Sequence, residues 1–274
     1  MTQQTLLDVL ICVAFVLAPV MTKTFFLSGS RAYSLLHVVA LTALALGAAL
    51  DLSMLALVWP LFCVVGFLIY LARERKLIFS IGGLARCLPF VFSLISSLWF
   101  AAGVLDLRLL GYDPTFSFYA ALHGSFLGWL FVGCLAHLSK RESSNGVYLW
   151  ACYTSFVFFL LIAFGIDGVP FIKRVGAVGF SVMIPVLIGR YAFNLPATDK
   201  LSFRLSMVSL VSIVLSMTLA LSNEFWAAAP RTAFGLPIMV SVHGFLNAIF
   251  VVPCFFLAIR FQRSQGLGWP STRS

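Results

Sequence analysis

Between Tyr33 and Ala72 the chain reads YSLLHVVALTALALGAALDLSMLALVWPLFCVVGFLIYLA, forty residues with one formal charge, Asp51. A helix needs about 20 mostly apolar residues to cross a bilayer. Two such lengths fit here, Tyr33–Leu50 and Ser53–Ala72, parted only by Asp51-Leu52. The stretch therefore predicts a pair of membrane-spanning helices joined by a tight turn. Strands are a poor alternative, because lipid offers no partner to an open sheet edge.

The rest of the chain follows the same pattern. Of its 274 residues 61% are hydrophobic and 10% charged, with a mean hydropathy of +1.04. A soluble domain carries about a quarter charged residues, so a water-soluble globule, a disordered chain and a disulfide-stapled module are all excluded. Seven further apolar runs lie at Thr5–Met21, Arg86–Leu105, Thr115–Leu138, Val147–Ile166, Val175–Arg190, Phe203–Ser222 and Leu236–Ile259. The expected fold is all-α and polytopic, with about nine transmembrane helices. No linker or charge block divides residues 1–274, which read as one integral-membrane domain.

A formal charge of +9 would suggest a nucleic-acid partner in a soluble chain. Here the basic residues test topology instead, because loops on the cytoplasmic side are enriched in Lys and Arg. With nine spans, one side receives Lys23, Arg31, Arg73, Arg75, Lys76, Arg86, Lys140, Arg141, Arg190, Lys200, Arg204, Arg260, Arg263 and Arg273. The other receives Arg108, Lys173, Arg174 and Arg231. The split of 14 against 4 predicts the N-terminus outside, the C-terminus in the cytoplasm, and no nucleic-acid partner. The expected location is a cell membrane, most simply a bacterial cytoplasmic one. The first span lacks a basic leader and a small-x-small cleavage pattern, so it reads as a retained helix. Six cysteines stand singly without a CxxC pair, which points away from zinc and disulfides.

Ionisable residues inside spans are costly and mark sites by default. His123 and His243 each open a His-Gly pair, in LHGSFLGW and VHGFLNA. Both are expected about 10–12 Å below the outer surface, from the rise of 1.5 Å per residue. They lie 120 residues and four spans apart, a hint that a four-span unit is duplicated in parallel. Asn247 follows His243 by one turn and shares its face. Asp8 reaches a similar depth on the first span, while Asp51 and Glu224 end the second and eighth spans at the same side. These groups predict a polar pocket doing acid/base chemistry, with His123 and His243 exchanging protons, Asn247 orienting, and Asp8 or Glu224 tuning or supplying a proton. No Walker, HExxH or GxSxG motif is present, so no cofactor is expected. The function so read is isomerisation, cyclisation or epoxide opening of a lipophilic, secondary-metabolite-like substrate arriving from the bilayer.

Two other classes compete. One is a non-enzymatic carrier or assembly protein for a hydrophobic small molecule. The other is a haem b electron-transfer protein: His123 and His137 stand 14 residues apart, near four turns, as paired haem ligands do. Their partners would be His243 and His37, yet position 257, where a second ligand on the ninth span would fall, is Leu257.

The segment VHGFLNA resembles the C-terminal His-Gly-x-x-Asn-Ala segment of the bacterial YndJ-like membrane family, with His243, Gly244, Asn247 and Ala248 on the motif. The segment around His123 is similar to that family's other histidine-bearing span, except that Gly124 stands where a second histidine is expected. The resemblance implies a polytopic membrane protein and no particular reaction. In size and architecture the chain is also similar to small integral-membrane cyclases that protonate or open epoxides of isoprenoid and polyketide substrates.

Overall fold

A computed structural model of the chain describes residues 2–76, 79–141 and 146–264. Arg273, one of the charges placed above, lies outside the described residues. Among the described residues nine helices have the length and apolarity to cross a membrane. They are α1 (Gln3–Phe25), α2 (Arg31–Ala49), α3 (Ser53–Glu74), α4 (Ile81–Val104), α5 (Pro114–Ser139), α6 (Val147–Ile166), α7 (Pro170–Phe193), α8 (Lys200–Phe225) and α9 (Met239–Gln262). A two-residue hairpin, β1 (Thr232–Ala233) with β2 (Leu236–Pro237), precedes α9.

The helices carry large apolar side chains on their outward faces, among them Leu35, Leu68, Leu98, Phe164, Val186 and Leu215, each more than half exposed. In water such surfaces aggregate; a bilayer is the solvent that accepts them. The chain is a multi-pass membrane protein.

The ends of the helices are set by recognisable local chemistry. Ser30 and Ser80 cap α2 and α4 by accepting from the amides of Tyr33 and Gly83 at 3.3 and 3.0 Å. Asp113 caps α5 by accepting from Phe116 at 2.8 Å, with Pro114 in the first turn. Asp51 and Asp106 close α2 and α4 in the left-handed region, at φ of 54° and 51°. Behind each, a leucine amide reaches back into the helix, Leu52 to Gly47 O at 2.8 Å and Leu107 to Ala102 O at 2.9 Å. This is a Schellman closure with aspartate in glycine's usual place, and it makes the α2–α3 turn as short as the sequence requires.

The spans differ from the expected bounds by up to five residues, α4 starting at Ile81 where Arg86 is expected, and two of the differences have a local cause. The seventh is longer, because α7 starts at Pro170 and takes Lys173 and Arg174 into its first turns. A hydropathy reading stops at those two cations; the helix does not, and both pair with Glu224. The ninth starts three residues late, since Leu236 and Pro237 belong to the hairpin. There Phe234 and Gly235 form the turn with φ of 56° and 73°.

The described residues group into two compact units, one of residues 11–133 and the other of residues 2–10 with 134–264. Within each, successive helices pack on one another: α2 on α3, α3 on α4 and α4 on α5 in the first, and α6 on α7, α7 on α8 and α8 on α9 in the second. In the first unit Phe15 stacks on Trp59 at 3.9 Å and the Trp129 indole donates to Thr22 Oγ1 at 2.7 Å. The α4–α5 contact is closer than side chains normally allow. Any Cβ at Gly128 would fall on the ring of Phe92.

Gly128→Leu is expected to destabilise the first unit by about 1–3 kcal/mol or more, the range for overpacking a filled core. Gly82, with open space around it, supplies the control: Gly82→Ala should leave stability unchanged or raise it slightly. Thermal unfolding in detergent, followed by helical circular dichroism, distinguishes the two.

Candidate functional site

Both His-Gly pairs coincide with the same irregularity. In α5 the α-helix ends at His123 and Gly124–Phe131 winds as π-helix. In α9 Met239–Gly244 and Leu246–Val251 are π-helical, with His243 inside the first stretch. A π-helix is rare and concentrates at functional sites, because its wider i→i+5 bonding displaces the backbone carbonyls.

In the second unit the π-helical stretch of α9 faces a serine of α8. His243 is buried, and its Nδ1 lies 2.9 Å from Ser216 Oγ and 3.0 Å from Ser216 O. Asn247 donates from Nδ2 to Ser216 Oγ at 2.7 Å and to His243 O at 2.8 Å. The three residues form a closed polar triangle, its third side made by the His243 backbone carbonyl. Ser216 is nine residues from the end of α8, hence about 14 Å in along the axis. An Nδ1–H given to the Ser216 carbonyl would put the imidazole lone pair on Nε2; an Nδ1 lone pair would instead accept the Ser216 hydroxyl.

In the first unit the equivalent pieces are arranged differently. Ser96 of α4 donates to Ala121 O at 2.8 Å and pairs with Ser125 Oγ at 2.6 Å. His123 is exposed and its Nδ1 bonds only one turn back, to Tyr119 O at 2.8 Å. Like His123 and His243, Ser96 and Ser216 are 120 residues apart. The starts of α6, α7, α8 and α9 follow those of α2, α3, α4 and α5 by 116, 117, 119 and 125 residues. Helix order and the serine that each π-helical stretch contacts thus recur at about the spacing of the His-Gly pairs.

The remaining candidates lie elsewhere. Glu224 sits in the last turn of α8, about 12 Å along the axis from Ser216. It pairs with Lys173 at 2.8 Å and Arg174 at 3.3 Å. A carboxylate is unfavourable at a helix C-terminus, and the two cations of α7 offset that. Asp8 is exposed on α1 and accepts from Gln4 Nε2 at 2.8 Å. Half-buried His37 bonds Phe15 O at 2.8 Å. Between His123 and His137, eight residues wind as π-helix. So the structure joins His243 to Asn247, and through them to Ser216, a residue the sequence reading did not single out.

The model of the YndJ-like family matches residues 5–251, from the first turns of α1 to the end of the second π-helical stretch of α9. The chain belongs to the YndJ-like family. No curated protein and no solved structure matches it. In this YndJ-like protein the motif residues His243 and Asn247 are the two whose side chains converge on Ser216, so the motif corresponds to a polar contact inside the membrane.

Ser216→Ala and Asn247→Leu are each expected to cost about 0.6–1.7 kcal/mol, the range for hydrogen bonds between membrane helices. The double substitution should cost less than their sum, because both act through one hydroxyl. Unfolding of the full chain in mixed micelles, with a double-mutant cycle, measures this. Glu224→Gln should cost no more than about 1 kcal/mol, and less at high salt.

Proposed function

We propose that this protein is a membrane-embedded enzyme of cofactor-independent acid/base chemistry, acting on a lipophilic substrate that enters from the bilayer. His243 is the proton-transfer group, Ser216 and Asn247 orient it, and the reaction is an isomerisation, a cyclisation or an epoxide opening. One observation carries this reading: a titratable imidazole buried inside the membrane, its Nδ1 held by Ser216 and that hydroxyl in turn held by Asn247. A base fixed by a second polar group is the general arrangement of proton-transfer sites. Imidazole changes charge near neutral pH, and a π-helical backbone supports the same reading. Following the charge bias, we place the His243 end outside and the basic end in the cytoplasm.

The test uses the full chain in nanodiscs with a total lipid extract of its source membrane, read by mass spectrometry. The expected product differs from its precursor by nothing, for isomerisation or cyclisation, or by one water, for epoxide opening. His243→Gln should slow the conversion by about 10²–10⁴-fold, the usual worth of a general acid or base. An unchanged extract, or full conversion by His243→Gln, overturns the proposal. Transfer of an unaltered compound across a proteoliposome would replace it with a carrier.

A further inference from the structure

The buried face of α8 carries a row of hydroxyls. Ser202, Ser206, Ser209, Ser212 and Ser216 are all buried and recur at intervals of four, three, three and four residues. From Ser202 to Ser216 the row covers about 21 Å of helix axis, most of a hydrocarbon core about 30 Å thick. One end is the Ser216–His243–Asn247 triangle. The other end, where α7 and α9 finish and α6 and α8 begin, holds a second polar group. Tyr148, Tyr191, Asp199 and Gln262 are there with at most 1% exposure each. Tyr191 OH donates to Gln262 Oε1 at 3.1 Å, and Asp199, Arg141 and Tyr148 lie within electrostatic reach of that hydroxyl. Asp199 is also the cap of α8, accepting from Ser202 N through Oδ1 at 3.2 Å.

A helix-packing seam explains part of this row. Ser206 turns its hydroxyl back to Ser202 O, and Ser209 donates to Val251 O of the π-helical stretch, both at 2.7 Å. It does not explain the buried atoms left without a protein partner: Ser202 Oγ, Asp199 Oδ2, Arg141 Nη1 and Gln262 Nε2. Alanine packs as closely as serine without burying a hydroxyl, whose burial costs free energy unless it is hydrogen-bonded. Buried polar atoms of this kind are satisfied by internal water. Hydroxyls one turn apart are too distant to bond directly, and a water between them closes the gap.

We propose that the serine row of α8 binds a file of water molecules and carries protons between the Asp199 cluster and His243. This rests on the reading of His243 as a proton-transfer group and names its proton source. A proton taken up at Asp199 Oδ2 moves by successive O–H exchange: each water or hydroxyl accepts one proton and releases another. Ser216 Oγ finally delivers one to His243 Nδ1. Only O–H and N–H bonds change, and no electron moves. Of the helices around His243, α8 carries Glu224, paired with Lys173 and Arg174 of α7, and α1 carries Asp8, two residues from the Leu10 that abuts Gly244.

The full chain in nanodiscs provides the test, read as the infrared signature of His243 protonation after release of a caged proton. His243→Gln assigns the band. Asp199→Asn and Ser209→Ala should slow protonation by about tenfold or more, equivalent to at least ~1.4 kcal/mol on the barrier, while Ser209→Thr, which keeps the hydroxyl, should restore the rate. Water-edited solid-state NMR of the same samples should show early transfer from water to Ser202, Ser206 and Ser209, and none to Val211 and Val214 on the exposed face. Unchanged rates in Asp199→Asn and Ser209→Ala, or a serine row that receives no water signal, overturn the path. The readout is protonation rather than turnover, so a proton path without lipid conversion would retain this inference and remove the enzyme. Conversion with unaltered protonation kinetics would do the reverse.

Discussion

In hydrocarbon every backbone amide and carbonyl needs a partner within the protein, and the architecture of this chain follows from that demand. Nine helices meet it by internal bonding. Their ends meet it through Ser30, Ser80, Asp113 and Asp199 at the start and Asp51 and Asp106 at the finish. Where the α-helical ladder is interrupted, the demand passes to side chains. Ala121 O takes the Ser96 hydroxyl and Val251 O takes that of Ser209. The π-helical stretches of α5 and α9 are thus each met by serine hydroxyls of a neighbouring regular helix, α4 or α8.

Much of this was legible because hydropathy and charge act on long stretches. The Asp51-Leu52 break between two apolar runs specified a short turn, and the turn is closed by Asp51 in a conformation that aspartate tolerates and most residues do not. The count of nine spans followed from length alone. What failed was local: α7 begins before Lys173 and Arg174, and a carboxylate 50 residues later, Glu224, pairs with both. A one-dimensional reading sees two cations and ends the span. The same blindness hid the role of Ser216. Serine is ordinary in membrane helices, and only its contact with His243 sets it apart.

The cluster around Tyr191 was hidden for a different reason. Arg141 and Arg190 count in the sequence as cationic residues at span ends, which is what the positive-inside bias predicts, and Asp199 as a stray acid near them. Their burial depends on how α6, α7, α8 and α9 end together, a property of packing and not of composition. Gln262 adds to this, being a polar residue near the end of a span with no exposure at all.

The two halves of the chain allow the origin of the candidate site to be argued residue by residue. Histidine, glycine and the contacting serine are common to both, at a constant separation of 120. The polar residues that follow are not: Ser125 corresponds at that separation to Phe245, and Leu127 to Asn247. Without an amide one turn beyond the histidine, Ser96 bonds the Ala121 carbonyl and the Ser125 hydroxyl, and His123 turns back to its own helix at Tyr119. With the amide present, Asn247 occupies the serine hydroxyl from one side and His243 from the other. Two differences, Asn247 for Leu127 and Phe245 for Ser125, thus separate the oriented imidazole from the helix-packing contact. That orientation sets the second His-Gly segment chemically apart from the first.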